Sequence, residues 1–371
     1  MSGLRHPGPG VVASGEGALD ALPRVLDRIG ARRVLSVHGR RARRAVAAHL
    51  PALDPVETVD AAFGGECSPA EIARLGALAR DADAVLGIGG GKALDTAKAV
   101  AVEAGVPVVL VPTLASTCSA WSRVSVFYDD DHRHLGHAEH ETPTHALLIE
   151  PRAVFDSPPE FFVSGIADTL AKWFEVRPLL ERGDASVLTA IGRDAARRCR
   201  DAVLVHGVTA VHDMRAGRLS DAWRDVMEAA IVSAGIVGAF AGPHGRATAA
   251  HPISDGLSAV DGTRDLLHGV KVAYGILVQL ALEAHWNDID ALAGLYADLG
   301  LPRSLADLGI DAGDRATLHA IAAVAADERS SLHLLRSGLR ASDVVEAMSA
   351  LERHQLPLPR VALTATPVPS L

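Results

Sequence analysis

Leu86-Gly-Ile-Gly-Gly-Gly-Lys-Ala-Leu-Asp-Thr-Ala-Lys98 is the stretch on which the fold turns. The apolar run Ala84-Val-Leu-Gly-Ile88 reads as a buried strand; it breaks at Gly89, Gly90 and Gly91, and a helix is expected from about Ala93 to Ala104. Glycines between a strand and a helix let the backbone approach a pyrophosphate, and the helix N-terminus offers unpaired N–H groups with a partial positive charge. The spacing is neither a Walker loop nor a strict GxGxxG, so position between strand and helix carries the reading more than the glycines do.

Working outward, Arg33-Val-Leu-Ser-Val-His38 reads as an earlier buried strand, Arg41 to Leu50 as a helix, and Pro107-Val-Val-Leu-Val111 as a third strand ended by Pro112. Such alternation predicts a parallel sheet covered by helices. Val124–Tyr128 and Ala146–Ile149 read as later strands. The polar segment between them carries His132, His134, His137, His140 and His145. It suits either a metal-binding tract or an exposed hairpin, and the hairpin is preferred because nothing fixes the rings on one face. After Asp156-Ser-Pro-Pro the chain turns Ala- and Leu-rich with helical spacing. The expected architecture is therefore an α/β dinucleotide-binding domain over residues 1–155 and an all-α metal-binding and substrate domain over 156–371, with an irregular proline-containing tail from Leu356.

Composition narrows the function. The chain has 371 residues, more than one core of roughly 100–200 holds, so two domains are expected. A net charge of −9 provides no basic surface for nucleic acid, and the run Arg40, Arg41, Arg43 and Arg44 is too short to reverse that. Three cysteines without CxxC spacing argue against a disulfide framework or a thiolate zinc site. Met1–Gly10 lacks the apolar centre of a signal peptide, and the most apolar stretch, Ala229 to Ala241, is too short to cross a membrane. A cytoplasmic homo-oligomer without membrane partners is expected.

The glycine loop with its helix, Gly89-Gly-Gly-Lys-Ala-Leu-Asp-Thr-Ala-Lys-Ala-Val-Ala101, resembles the phosphate loop of the iron-containing alcohol dehydrogenase superfamily, nearest its glycerol dehydrogenase branch. Pro112-Thr-Leu-Ala-Ser-Thr117, followed by Ser122, Val124 and Tyr128, is similar to the branch's next cofactor segment. Gly165-Ile-Ala-Asp-Thr-Leu-Ala-Lys-Trp-Phe-Glu175, Ala250-His-Pro-Ile-Ser-Asp-Gly256 and the segment from His268 to Leu280 resemble its metal segments. The motifs stand in family order from about residue 10 to residue 355.

The resemblance implies a dehydrogenase exchanging hydride between a nicotinamide dinucleotide and a small alcohol, polyol, aldehyde or ketone. It implies cofactor contacts at Gly89, Gly90, Gly91, Lys92, Asp95, Thr113, Ser116, Ser122, Val124 and Tyr128, and a metal held by Asp168, His251 and His268. One carboxylate and two imidazoles suit zinc or ferrous iron with an open position. Iron-type members carry a histidine four residues after the aspartate. Here that residue is Lys172, which favours Zn2+ over Fe2+ and leads to the expectation that Lys172 points away or is deprotonated.

Three departures bear on specificity. Cys118 stands where glycerol dehydrogenases carry a substrate-contacting aspartate, Trp121 and Arg123 replace smaller residues nearby, and Ser254 replaces a frequent histidine. Arg123 suits either an anionic substrate or a surface carboxylate. After His38 come Gly39 and Arg40 rather than an acid, which favours NADP over NAD, because glycine leaves room for a 2′-phosphate that arginine can bind. The rival readings are a dehydroquinate synthase-like sugar-phosphate cyclase, a glycerol-1-phosphate dehydrogenase-like enzyme and a nucleotide binder without turnover.

Overall fold

The structure, a computed structural model, describes residues 6–130, 133–180, 186–241, 248–263 and 266–354. His132 and the tail from Leu356 lie outside these residues. Eight strands occur among them: β1 Val11–Ser14, β2 Arg33–His38, β3 Glu57–Ala62, β4 Ala84–Gly89, β5 Val108–Pro112, β6 Val124–Tyr128, β7 His134–Glu139 and β8 Ala146–Ile149. Six form a parallel sheet in the order β1-β8-β5-β4-β2-β3, while β6 and β7 make a separate antiparallel pair.

The central strands alternate their side chains between two cores. Val109 and Val111 of β5 join Leu86 and Ile88 of β4 in one, beneath Leu22 and Leu26. Leu110, Val85 and Leu147 face the other. That is the period-2 geometry of a strand buried on both faces. The second core is continuous with Ile166, Leu170, Tyr274 and Leu351, so the sheet and the helices beyond it share one apolar interior. Beyond β8 no strand occurs among the described residues, and the longest helix is Val187–Arg215.

The segment between Asp129 and His145 supplies a strand of a hairpin, with His134 and Leu135 exposed on β7. His140 departs from the expected exposure: it is buried, with its Nε2 2.8 Å from Ser125 Oγ. The helix expected over Arg41–Leu50 runs Arg40–Val46, and the glycine-loop helix begins earlier, spanning Gly91–Ala104. Within the described residues no helix is long and apolar enough to cross a membrane.

Strand order creates the first functional feature. From β2 the chain continues outward to β3, then returns to β4 on the other side of β2. His38 therefore lies beside Ile88 in register, and the carboxyl ends of β2 and β4 open on a common crevice. A switch point of this kind is where parallel sheets receive nucleotides.

Candidate active site

The glycine loop and Gly39-Arg40 meet at that crevice. Gly90 caps the Gly91–Ala104 helix in an extended conformation, and its first turn has no side-chain cap, which leaves backbone N–H groups directed outward. Packing gives these glycines a second role. A Cβ at Gly87 would fall 2.6 Å from Ala97 Cβ, and one at Gly90 would fall 2.5 Å from Leu114 Cδ1. Close approach of the helix to the sheet thus requires glycine independently of any ligand.

A buried ion pair secures the loop that covers this helix. Lys98 lies 2.8 Å from Asp95 and donates to the carbonyls of Ser119, Ser122 and Val124 at 2.9, 3.0 and 2.5 Å. Asp95 also accepts from Ser119 Oγ at 2.5 Å and from Val126 N at 3.0 Å. Asp95 is thus committed to holding the 119–126 segment in place. Lys92 pairs with Glu66 at 2.5 Å and sits 4.7 Å from the centre of the Tyr128 ring. Thr113 is buried directly after β5, its N donating to Gly89 O at 2.9 Å, and Ser122 Oγ accepts from Val124 N at 3.0 Å. Ser116 is half-buried in the same loop.

Beyond the sheet, three helices contribute one residue each to a cluster. Asp168 lies on Pro159–Leu180, His251 on Ala250–Ser258, and His268 begins His268–Leu282. One donor atom from each lies within 4.8 Å of the others. His251 Nε2 is 3.1 Å and His268 Nε2 3.9 Å from Asp168 Oδ1. Bonds of about 2.0–2.1 Å to a tetrahedral ion place neighbouring donors roughly 3.3 Å apart, so these residues fit a divalent metal.

Glycines set this spacing. A Cβ at Gly269 would lie 1.8 Å from Ser164 O, and one at Gly275 would lie 2.3 Å from Ala250 O. The His268 helix therefore touches the backbone of both partner helices within a turn or two of their ligands. Gly165 similarly presses the Asp168 helix against Ala115, where a Cβ would lie 1.8 Å from the carbonyl oxygen. That contact draws Asp168, His251 and His268 toward the loop that follows β5.

A carboxylate outside the triad orients it. Glu175 is fully buried, and its Oε2 accepts from His251 Nδ1 at 2.7 Å while Oε1 accepts from the backbone N of His251 at 3.0 Å. A carboxylate only accepts, so Glu175 holds a proton on Nδ1 and Nε2 is turned to Asp168; burial opposes the imidazolium, but Glu175 and Asp168 raise the His251 pKa to about 9, and a metal ion would take the place of the Nε2 proton. Gln279 ties the same region together, donating to Phe174 O at 2.7 Å and accepting from Ala250 N at 3.2 Å. Both residues escaped the sequence reading, although Asp168, Lys172 and Glu175 form a polar stripe on one face of a helix otherwise rich in apolar residues. Glu175→Gln is expected to lower metal affinity about 10- to 100-fold, measured by competition with a chromogenic chelator, with dinucleotide binding retained.

Lys172 does not point away. Its Nζ is buried 2.9 Å from Asp168 Oδ1. Burial opposes ionisation of the Asp168 carboxyl, but the Lys172 ammonium and His251 outweigh it and hold the acid far below the usual carboxylate range. Burial likewise works against the Lys172 charge, and Asp168 overcomes it, so the lysine is held as ammonium. The His268 side chain is 39% exposed, and its partial burial with the nearby charges of His251 and Lys172 outweighs Asp168 and lowers its pKa, which favours the neutral imidazole suited to ligation. Arg123 meets a surface carboxylate, Glu139, at 2.6 Å, and also donates to His140 O. Trp121 packs against Gly235 and donates to Pro7 O at 3.0 Å.

The family model for iron-containing alcohol dehydrogenases matches residues 9–151. Hydroxycarboxylate dehydrogenase A of Escherichia coli (strain K12) is 36% identical over 299 residues, covering 79% of this chain and 83% of that protein. Glycerol dehydrogenase of Thermotoga maritima is 32% identical over 353 residues, covering 93% and 96%. The crystal structure of a probable glycerol dehydrogenase from Sinorhizobium meliloti 1021 superposes with a TM-score of 0.85 at 31% identity, covering 93% of this chain and 97% of that one.

Proposed function

The chain belongs to the iron-containing alcohol dehydrogenase superfamily, on its glycerol dehydrogenase-like branch, and from that premise we propose a metal-dependent, NAD(P)-linked oxidoreductase acting on the CH–OH group of a small alcohol or polyol, or on the corresponding aldehyde or ketone. The observation carrying this reading is the convergence of Asp168, His251 and His268 on one point, with the Asp168 helix touching the same 115–119 loop as the glycine loop does. Asp168, His251 and His268 would hold the ion, zinc in this proposal, and a bound divalent ion supplies Lewis acidity toward the substrate oxygen. Glu175 keeps His251 in the ligating tautomer. The first turn after Gly90 binds the pyrophosphate, and the Lys98–Asp95 pair fixes the loop that confines the nicotinamide end. The protein's contribution is alignment of donor and acceptor carbons and exclusion of water. The proposal includes a boundary near residue 155 and a cytoplasmic homo-oligomer.

The dinucleotide is NADP in this proposal. A Cβ at Gly39 would meet open space, and Arg40 is exposed beside it. A groove of about 500 Å³ there is lined by His38, Arg40, Arg41, Arg43 and Arg44. The nearby acid, Asp60 on β3, is engaged by His38 at 3.0 Å. A charge-assisted bond from Arg40 to a 2′-phosphate contributes about 1.5–3 kcal/mol. NADPH is expected to bind roughly tenfold or more tightly than NADH, and Arg40→Ala to erase the difference, in paired fluorescence titrations. Equal or tighter NADH binding by the wild type refutes the preference.

The activity itself is tested by following nicotinamide absorbance with metal-replete protein across small alcohols, polyols, aldehydes and ketones, alongside elemental analysis. Stoichiometric cofactor turnover with one zinc per chain supports the proposal. A sugar-phosphate cyclase would form product without net change in the nicotinamide, and a nucleotide binder would form none. The names of the two curated relatives divide between an uncharged polyol and a hydroxycarboxylate, so the choice of substrate rests on charge at the centre.

A further inference from the structure

One cation at the metal cluster has no part in the scheme above. Lys172 is buried one helical turn from Asp168, 2.9 Å from its Oδ1, and Cys118 packs against the apolar cluster that includes Val176 of the same helix, with Trp173 beside it. An ammonium carries three donors, and among the described residues Asp168 is its hydrogen-bond partner, so two N–H groups remain for a ligand.

The surrounding charges do not cancel. A dication bound by Asp168, with Glu175 behind His251 and Lys172 alongside, leaves the centre one positive charge in excess when both histidines are neutral ligands. Arg123 faces Glu139 and takes no part. Lys271, the next buried lysine, has Asp255 as an opposing charge and adds to the positive field at His268. On the loop side, Cys118 stands where the glycerol dehydrogenase branch carries an acid. An aspartate there would repel an anion and hydrogen-bond a polyol, whereas a thiol does neither well. The site thus retains a cation and lacks the acid.

We infer that the substrate is a short 2-hydroxy acid, with Lys172 pairing its carboxylate and Cys118 admitting it. This rests on the dehydrogenase reading above and specifies its substrate class. In the oxidative direction the C2–H bond breaks and hydride passes to the nicotinamide of the oxidised dinucleotide. The hydroxyl proton leaves to solvent, giving the 2-oxo acid, and the reverse reduces a 2-oxo acid to the 2-hydroxy acid.

Pyruvate and hydroxyacetone test this, because they match in size and differ in the carboxylate. Metal-loaded wild type is expected to favour pyruvate at least tenfold in kcat/KM. In Lys172→Met the pyruvate-to-hydroxyacetone ratio should fall roughly 10- to 100-fold, through KM, as expected for loss of one charged hydrogen bond. Calorimetric titration with oxamate, an unreactive mimic of pyruvate, should show binding to wild type with reduced dinucleotide and none to this variant. Cys118→Asp keeps Lys172 and should lower the same ratio, which preserves the test if Lys172→Met does not fold. A wild-type preference for hydroxyacetone, or an unchanged ratio in a metal-retaining Lys172→Met protein, overturns the inference and leaves the dehydrogenase reading standing. Absence of turnover across the whole panel of alcohols and carbonyl compounds, with metal and dinucleotide bound, overturns both.

Discussion

Asp168→Ala is expected to lose its metal on gel filtration and to retain no more than about one-thousandth of wild-type activity, because Lewis-acid stabilisation contributes several kcal/mol to the transition state. Stability should fall as well. Asp168 is the carboxylate 2.9 Å from the buried Lys172 ammonium and 3.1 Å from His251 Nε2. Removing it leaves a cation buried without its partner, which costs roughly 3–5 kcal/mol. The double variant Asp168→Ala/Lys172→Met separates the two effects. It should recover most of the denaturation midpoint, since the stranded charge is gone, while metal content and activity stay lost. Recovery of activity in the double variant would show that Asp168 serves the fold rather than the metal.

Gly269→Ala should damage the site nearly as severely although no ligand is changed. The added methyl would start 1.8 Å from Ser164 O and 2.5 Å from Ser164 C, both backbone atoms that cannot turn aside. The His268 helix has to retreat from the Asp168 helix by well over an ångström to restore van der Waals contact, whereas metal–donor distances tolerate about 0.2 Å. Overpacking typically costs about 1–3 kcal/mol, occasionally more. The expected result is a folded, less stable protein with metal affinity reduced at least tenfold. Dinucleotide affinity should be nearly unchanged, because the Gly269 contact is with Ser164 and involves no residue of the glycine loop. Gly262→Ala, where a Cβ meets open space, is the control. Equal metal affinity in Gly269→Ala and Gly262→Ala would show that the helix contact does not set the ligand spacing.

Several features were legible in the chain because their causes are local. The central strands β2, β4 and β5 are buried along most of their length and read as apolar runs. The strand–glycine–helix unit is encoded within thirteen consecutive residues. The edge strands β1 and β3 were not found, because a half-exposed edge needs no apolar run: Glu57–Ala62 buries only Ala61. The ligand trio was named through resemblance, and each member taken singly is an ordinary residue on a helix.

What tertiary structure alone decided depends on groups distant in sequence. The hydrogen bond from His251 to Glu175 joins residues 76 apart, and the contact of Gly269 with Ser164 joins residues 105 apart. No local pattern records such pairings, because each arises when helices pack to van der Waals distance. Arg123 and Lys172 illustrate the difference. Both are cations near the expected pocket in sequence, yet Arg123 lies beside Glu139 on the hairpin while Lys172 is buried against Asp168. By itself the sequence determined the strand–glycine–helix unit and the residue types offered as candidate ligands, since strand burial, glycine freedom and ligand chemistry are properties of residues and short segments. The packing of three helices through glycine contacts decided which charges share that centre, because burial and distance, rather than residue type, determine what a charge can act upon.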